Sequence, residues 1–300
     1  MELRHLRYFV RAAELLHFTR AADSLHVSQP TLSSHIQQLE EELGCPLFDR
    51  VGRRVRLTAA GQILLPHARA ATREVELSKE EIAELQGLLR GSLRVGTTYV
   101  FSEYLVPLSL AAYMTAYPDI HVLINWATSL EIEQDLLTGA IDLGLAFLPA
   151  ESDELEAEPL LTDEVVLVVG KTHPLAEKTE IHVSELGDFP LVLFSTGFST
   201  RRLLDRQFAK EGFSPKILLE MNDIPALLKI VETGIAGTMV SRRLAAPYSQ
   251  LRSLSISGRV VRSAGILTRR GIHLSPAARA FLEVIRLHCQ SMPAKGSSVP

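Results

Sequence analysis

The chain has 300 residues, of which 46% are hydrophobic and 22% charged, a composition that excludes disorder over most of its length and allows two folded domains. Its net charge of −4 gives no global sign of nucleic-acid binding, so such binding requires a local basic patch. The N-terminus lacks the basic segment and apolar core of a secretory signal, and no apolar run approaches membrane-spanning length, which predicts a cytoplasmic protein.

The first sixty residues predict three short helices followed by a hairpin. Thr19 is expected to cap the second helix and Ser28 the third, because their side-chain oxygens can accept hydrogen bonds from first-turn amides. Pro30 is tolerated in the first turn, where amides lack intrahelical partners anyway. Gly44 is expected to end the third helix, since glycine readily adopts the left-handed conformation found after a helix end.

The third helix is predicted to have one apolar face and one polar face. Its apolar residues are spaced four, three and four positions apart and form a stripe toward a core: Leu32, Ile36, Leu39 and Leu43. The opposite face is small and polar, with no acid before Glu40, and consists of Pro30, Thr31, Ser34, Gln37 and Gln38. Such a face fits the major groove of DNA, which is about 12 Å wide.

The hairpin that follows is basic. Four arginines lie between Pro46 and Ala60 against the single acid Asp49, and they are Arg50, Arg53, Arg54 and Arg56. This pattern is typical of a wing that lies along a phosphate backbone, where displaced counterions make binding salt-dependent. The alternative is a solvated charged hairpin, in which strand alternation places Arg54 and Arg56 on one face and leaves Arg50 or Arg53 to pair with Asp49.

A long helix is predicted next. Thr58 is expected to cap it, and its pattern runs from Ala59 to about Leu89, which corresponds to about 45 Å at 1.5 Å per residue. A helix of that length exceeds a small domain and indicates pairing with a second chain. Pro66 is expected to kink it, because proline lacks the amide hydrogen and clashes with the preceding turn.

After residue 92 the pattern changes to alternating strands and helices. Strands are predicted at 93–97, 122–127, 141–147, 164–169, 191–194, 217–220 and 237–240, separated by helix-length segments such as 103–117 and 131–138. This alternation predicts a doubly wound α/β fold with its ligand site beyond the carboxyl ends of the strands.

Three predicted strand-to-helix turns are rich in hydroxyl side chains. They contain Thr97, Thr98 and Ser102, then Thr128 and Ser129, then Ser195, Thr196, Ser199 and Thr200. Backbone amides and positive helix ends in these turns would face one crevice, which suits a small anion or carboxylate. Taken singly, each hydroxyl is also explained as an ordinary helix cap. Arg201 and Arg202 open the third helix; one of them could reach an anionic ligand, and solvation is expected for at least one.

Other classes of protein are disfavoured. The sequence has no GxSxG elbow, phosphate-binding loop, HExxH or GxGxxG, so an enzyme is not expected. Cys45 and Cys289 form neither a CxxC nor a Cys/His cluster, and no metal or cofactor is expected. A transport-type solute-binding protein would carry an export signal, and a purely architectural DNA-bending protein would not need the α/β region.

The sequence also resembles a known family. Residues 18–61, FTRAADSLHVSQPTLSSHIQQLEEELGCPLFDRVGRRVRLTAAG, closely resemble the DNA-binding signature of LysR-type transcriptional regulators. The remainder resembles the effector domain of that family through GSLRVG at 91–96, YP at 117–118, GAIDLG at 139–144 and HPL at 173–175. Within the family, residues 153–169 and 194–201 are similar to the activator of the cyanate-degradation operon. The resemblance implies a regulator that binds double-stranded promoter DNA and a small-molecule effector.

The resemblance implies a domain organisation. A winged helix-turn-helix domain is expected at 1–58, a dimerising linker helix at 59–90, an effector domain at 91–293 and a flexible tail at 294–300. The effector domain is expected to resemble periplasmic binding proteins, with two Rossmann-like subdomains, 91–161 together with 266–293, and 162–265. The implied assembly is a homotetramer, a dimer of dimers in which the long helices pair.

The resemblance also implies site residues. The DNA contacts of the family fall on Arg20, Ser28, Gln29, Pro30, Thr31, Ser33, Ser34 and Gln38, besides the wing arginines. Its ligand positions fall on the hydroxyl-rich turns, with Phe147, Phe198 and Asn222 as walls. The sequence departs from many relatives at His35, Gln37 and Gln38, where they carry arginine, so base recognition is expected to differ. His35 either contacts DNA or lies half-buried beside the apolar stripe, and the sequence leaves both open.

Overall fold

The computed structural model describes residues 1–51, 54–85, 90–187 and 189–291, with backbone only at 50, 51 and 54. Its N-terminal domain consists of α1 (Leu3–Leu15), α2 (Phe18–Ser24), α3 (Gln29–Leu43) and an antiparallel hairpin of β1 (Phe48–Val51) and β2 (Arg54–Leu57). The predicted tail at 294–300 and the end of the predicted long helix at 86–89 lie outside the described residues.

The predicted start and end of α3 are confirmed, whereas the predicted cap of α2 is wrong. Ser28 Oγ accepts a hydrogen bond from the Thr31 amide at 3.2 Å, and Gly44 has a φ of 71°. Helix α2 begins at Phe18, and its cap is His17, whose Nδ1 accepts a hydrogen bond from the Arg20 amide at 3.3 Å. An imidazole nitrogen thus accepts the capping hydrogen bond that the sequence pattern assigned to the Thr19 hydroxyl.

The apolar stripe of α3 forms the core of the N-terminal domain. Leu32, Ile36 and Leu39 are buried in one cluster with Phe9 of α1 and Phe48 of β1. Burial of each such side chain contributes roughly 1.5–3 kcal/mol, so the stripe fixes how α3 sits on α1. Leu43, predicted on the same stripe, is 41% exposed because the helix ends there.

Helix α4 (Ala59–Leu85) connects the two domains and continues through Pro66. Thr58 Oγ1 accepts a hydrogen bond from the Gly61 amide at 3.0 Å, as the sequence predicts. Three large apolar side chains of α4 are well exposed: Ile63 at 69%, Ile82 at 58% and Leu85 at 89%. No described helix, α4 included, is both long and apolar enough to cross a membrane.

The C-terminal domain confirms the predicted α/β alternation. Its strands are β3 (Gly91–Thr97), β4 (Ile120–Trp126), β5 (Leu143–Leu148), β6 (Leu155–Gly170), β7 (Glu180–Ile181), β8 (Pro190–Leu193), β9 (Lys216–Glu220), β10 (Thr238–Ser241), β11 (Leu251–Ile256) and β12 (Val260–Arg269). Its helices are α5 (Tyr99–Tyr104), α6 (Val106–Ala116), α7 (Ser129–Leu137), α8 (Ser199–Lys210), α9 (Ile224–Glu232), α10 (Arg242–Ala245) and α11 (Pro276–Ser291). The predicted helix at 103–117 therefore corresponds to two helices that meet at Leu105.

The strands form a mixed sheet. Its order is β4-β3-β5-β12-β6-β11-β7, with β10 also paired to β6, while β8 and β9 form a separate parallel pair. Strand β3 is parallel to β4 and β5, but β12 is antiparallel to β5 and β6. The sequence prediction missed β7, β11 and β12, and it gave β6 less than half of its length.

Strands β6 and β12 connect two lobes. Lobe I consists of β3–β5, α5–α7 and α11, and lobe II of β7–β11 and α8–α10. Lobe I has a core around Leu93, Phe101, Leu145 and Phe281; lobe II has cores around Leu167, Leu191, Leu204, Val168 and Leu228. The β12 register shifts between Ala264 and Gly265, where a Cβ would lie 2.1 Å from the Glu158 carbonyl oxygen, so glycine allows the two connecting strands to cross closely.

Candidate nucleic-acid interface and ligand cleft

The polar face of α3 is exposed. Ser28, Gln29, Pro30, Thr31, Ser34, Gln37 and Gln38 are all exposed, Ser33 is half-buried, and Arg20 is exposed on α2. Internal hydrogen bonds join Ser28 Oγ to Thr31 Oγ1 at 2.7 Å and Gln29 Nε2 to Ser33 Oγ at 3.0 Å. Amides and hydroxyls held in this way can exchange their partners for base edges or phosphate oxygens.

His35 lies on the inner side of α3. Its ring centroid is 5.2 Å from that of His5 and 5.1 Å from that of Tyr8, both on α1. The structure therefore places His35 in the contact between α1 and α3, half-buried, rather than on the exposed polar face.

The basic hairpin begins at the C-terminal end of α3. Glu40 Oε1 accepts hydrogen bonds from the Leu47 amide at 2.6 Å and the Phe48 amide at 3.2 Å, so this acid anchors the hairpin to α3. Arg56 is exposed on β2, and its backbone lies opposite Asp49. Residue Arg53 and the side chains of Arg50 and Arg54 lie outside the described residues.

A cavity of about 440 Å³, its open mouth included, lies between the two lobes. Seven residues of the predicted ligand site and its hydroxyl-rich turns line it: Thr98, Thr128, Ser129, Phe147, Phe198, Ser199 and Thr200. Aromatic side chains that the sequence did not single out complete its walls, namely Tyr99, Trp126 and Phe194. We call this cavity the cleft.

The other predicted ligand residues do not line the cleft. Thr97 is buried and donates its hydroxyl hydrogen to the Thr98 carbonyl oxygen, and Ser102 lies on α5. Ser195 donates from its amide and its hydroxyl to Asn222 Oδ1, at 3.1 and 2.9 Å, and Thr196 beside it is exposed. These two hydroxyls follow β8 as predicted, but Ser195 bonds a side chain that follows β9, and neither residue lines the cavity.

The floor of the cleft contains a buried ion pair that sequence reasoning missed. Arg262 of β12 donates from Nε to Asp163 Oδ2 at 3.0 Å and from Nη1 to Thr200 Oγ1 at 2.8 Å. The side chains of Arg262 and Asp163 are 6% and 0% exposed, and Ser241 donates its hydroxyl hydrogen to the same carboxylate. Arg262 also stacks on Phe147, with Cζ 3.2 Å from the ring centroid. An arginine next to the valine pair that opens β12 was the available sequence signal.

Polar atoms at the cleft are left without partners. Arg262 Nη2, Thr98 Oγ1 and Ser129 Oγ are buried and have no hydrogen-bond partner among the described residues. Burial lowers the pKa of Arg262, and the neighbouring Asp163 opposes that effect. A buried polar atom without a partner costs roughly 1–3 kcal/mol, so a molecule in the cleft that bonds these three atoms would recover that cost.

Thr128 differs from these three groups. Its Oγ1 accepts from the Glu131 amide at 3.3 Å, and its own amide donates to Glu131 Oε2 at 2.8 Å, which forms a capping box at the start of α7. The hydrogen bonds that the Thr128 amide and then the Thr128 hydroxyl donate to the Glu131 carboxylate lower the pKa of Glu131. For Thr128 the ordinary cap is therefore present, whereas Thr98 precedes α5 without a side-chain cap.

Neither Arg201 nor Arg202 is among the residues that line the cleft. Arg201 is held by Asp205, by Glu220 and by the Phe194 carbonyl oxygen, at 2.8, 2.6 and 2.8 Å. Arg202 reaches across to lobe I, where its Nη2 lies 3.2 Å from Glu151 Oε1. The sequence predicted an arginine at the start of α8 as the cation for an anionic ligand. The arginine that lines the cleft is instead Arg262 of β12.

Two family models match the chain. One is described as a bacterial regulatory helix-turn-helix protein of the lysR family and matches residues 3–62. The other is described as the LysR substrate binding domain and matches residues 86–290, which include both lobes and the cleft.

Individual proteins are similar over nearly the whole length. The transcriptional dual regulator GltC of Bacillus subtilis (strain 168) is 31% identical over 289 residues, covering 95% of this chain and 96% of GltC. The structure of full-length CbnR, a LysR family transcriptional regulator, with its target DNA has a TM-score of 0.67 at 28% identity and covers 96% of this chain and 99% of CbnR. A full-length OxyR variant from Pseudomonas aeruginosa has the same fold, with a TM-score of 0.80 at 24% identity over 98% of this chain and 96% of that one.

Proposed function

The chain belongs to the LysR family of bacterial transcriptional regulators, and from that membership we propose which molecules its two sites bind. The exposed face of α3 binds the major groove of promoter DNA, with Arg20 and the wing arginines on phosphates. The cleft binds a small carboxylate or another small anion, which changes how the protein acts on transcription. DNA binding belongs to residues 1–58, pairing of copies to 59–90, and effector binding to 91–293.

The observation that carries the ligand proposal is the unused hydrogen-bonding capacity around Arg262. Its Nη2 is a buried donor with no partner in the described part of the chain, and the hydroxyls of Thr98 and Ser129 can donate toward the same cavity. A carboxylate accepts several hydrogen bonds at once, and it pairs with a guanidinium in a fixed geometry. The first residues of α7 and α8, Ser129 and Ser199, also line the cleft, and helix starts favour negative charge.

We further propose a dimer of dimers located in the cytoplasm, where promoter DNA is accessible. Support comes from the apolar side chains that α4 leaves exposed, Ile63, Ile82 and Leu85. Pairing of this helix with its copy in a second chain would remove those side chains from water and set two recognition helices at a fixed spacing.

The cleft proposal predicts that substitutions of the unpartnered cleft hydroxyls lower ligand affinity without lowering the stability of the ligand-free protein. Thr98→Val and Ser129→Ala each remove a buried hydroxyl without a described partner, so the melting temperature of the ligand-free protein should stay unchanged or rise. The affinity for a carboxylate found in a thermal-shift panel should fall about tenfold or more, because a hydrogen bond to a charged group is lost. Isothermal titration calorimetry of the purified full-length variants measures that affinity.

Thr238→Val is the matched control. Thr238 is fully buried, and its Oγ1 also lacks a described partner, but it does not line the cleft. This variant should therefore change stability like the others and leave carboxylate affinity unchanged. Equal losses of affinity in all three variants, or none in Thr98→Val and Ser129→Ala, would refute the assignment of the cleft.

A further inference from the structure

A second cavity lies between α4 and lobe I, at the end of α7 that is away from the cleft. It occupies about 570 Å³, its open mouth included. No residue lines both cavities: Ser129 at the start of α7 lines the cleft, whereas Leu136 near the end of α7 lines the second cavity. The nine residues of α7 extend about 13 Å along the helix axis, so the two cavities are separate. We call the second one the linker cavity.

Segments distant in the sequence form the linker cavity. One face of α4 contributes residues spaced three, one and three positions apart, namely Ala70, Arg73, Glu74 and Leu77. Lobe I contributes Arg94 of β3, the turn that follows α7 and the turn that follows β12. A molecule in the linker cavity would therefore contact the linker helix and the effector domain at once.

The walls of the linker cavity are largely apolar. Leu77, Leu136 and Ile141 are 5%, 2% and 6% exposed, so they form a packed surface behind it. Ile272 also lines the cavity and is 42% exposed. An apolar body bound here would cover Ile272 and rest on the three buried side chains, which favours binding because apolar surface leaves water.

Most charges at the linker cavity are already paired or screened. Arg73 Nε lies 3.1 Å from Asp142 Oδ1, and Arg94 pairs with the same carboxylate at 2.8 Å. Arg73 also pairs with Glu80 of its own helix at 3.2 Å. Glu74 is exposed, so water screens its charge.

Arg269 is the exception among the cations of the linker cavity. It is half-buried at the end of β12, and its side chain makes no hydrogen bond or ion pair with another described residue. Other arginines of lobe I do have acidic partners: Arg279 pairs with Glu84 at 2.8 Å, and Arg286 with Glu158 at 2.6 Å. The guanidinium of Arg269 is therefore available to an anion that enters the cavity.

We propose that the linker cavity is a second small-molecule site, which binds a carboxylate with an apolar body. The carboxylate pairs with Arg269, because a guanidinium presents parallel N–H donors that match two carboxylate oxygens. The apolar body packs on Leu136 and Ile141. An apolar pocket with a few placed polar groups is the usual form of a small-molecule site. This site does not depend on what the cleft binds.

Isothermal titration calorimetry of the full-length protein with 2-naphthoate, an aromatic carboxylate, tests the site. Arg269→Met removes the charge and keeps an apolar stem, so it should weaken the affinity about tenfold or more. Arg270→Met is the matched control, because Arg270 is exposed and does not line the cavity, and it should leave the affinity unchanged. Ala70→Phe fills the cavity from α4 and should also weaken binding, which keeps the test open should Arg269→Met not fold.

An uncharged analogue of the same shape tests the role of the carboxylate. 2-Naphthamide should bind the wild-type protein about tenfold or more weakly than 2-naphthoate, because it cannot form the charged pair with Arg269. Arg269→Met should leave the affinity for 2-naphthamide unchanged. Equal affinities of the wild-type protein for the two compounds would contradict the assignment of Arg269.

Hydrogen–deuterium exchange then locates the bound probe. 2-Naphthoate should slow amide exchange in two segments distant in the sequence, 70–77 and 269–275, and Arg269→Met should remove both effects. Thr98→Val and Ser129→Ala should leave both effects intact, because these residues line the cleft instead. Slowed exchange confined to the cleft, an affinity that Arg269→Met does not change, or no binding at millimolar 2-naphthoate would overturn the proposal.

Discussion

Asp163→Ala is expected to lower the free energy of unfolding of the effector domain by about 3–5 kcal/mol, the cost of removing one partner from a buried ion pair. Asp163 is 1% exposed and accepts from both Arg262 and Ser241. Without it the guanidinium would remain buried beside Phe147, with only the Thr200 hydroxyl as a described hydrogen-bond partner. Asp163 lies on β6 and Arg262 on β12, the two strands that connect the lobes. Loss of the ion pair should therefore destabilise both lobes together.

Urea denaturation followed by circular dichroism measures this loss. Glu151→Gln is the control, because the exposed pair of Glu151 with Arg202 at 3.2 Å should contribute at most about 1 kcal/mol. The double variant Asp163→Leu with Arg262→Met should recover much of the stability, since an apolar pair of similar size removes both buried charges. A midpoint for Asp163→Ala equal to that of Glu151→Gln would mean that the pair does not hold the lobes together.

Local patterns predicted the N-terminal domain well because its elements are specified by neighbouring residues. The Ser28 cap, the Gly44 stop and the stripe of Leu32, Ile36 and Leu39 depend on contacts within a few positions of the chain, apart from the packing of the stripe itself. His17 shows the limit of that approach, since its cap uses a nitrogen in place of the expected hydroxyl.

The cleft was only partly predictable, because its floor is made by residues distant in sequence. Helix starts suggested Thr98 and Ser129, and both residues line the cavity. Asp163 and Arg262 are 99 positions apart and meet only because β6 and β12 pair, a register that no local pattern specifies. The same reasoning from hydroxyls also selected Ser195, which instead bonds Asn222, 27 positions away.

Ser34→Glu is expected to weaken DNA binding by about 100-fold or more, because a like charge set against phosphate costs several kcal/mol. Ser34 is exposed on the polar face of α3, no described side chain hydrogen-bonds to it, and glutamate is a good helix former. The fold should therefore be unaffected while the proposed contact face gains a carboxylate. Fluorescence anisotropy with a labelled duplex measures the affinity at fixed salt, since salt alone changes it.

Ser184→Glu separates this local effect from the change in net charge. Ser184 is an exposed serine of lobe II, in a short 3-10 turn, and the substitution adds the same charge far along the chain from α3. It should change affinity much less than Ser34→Glu, because exposed charges separated by more than about 8–10 Å are largely screened at physiological salt. Equal losses of DNA affinity in the two variants would mean that the dominant DNA contact lies elsewhere. A loss of affinity in Ser34→Glu alone requires that this face of α3 lies against the duplex.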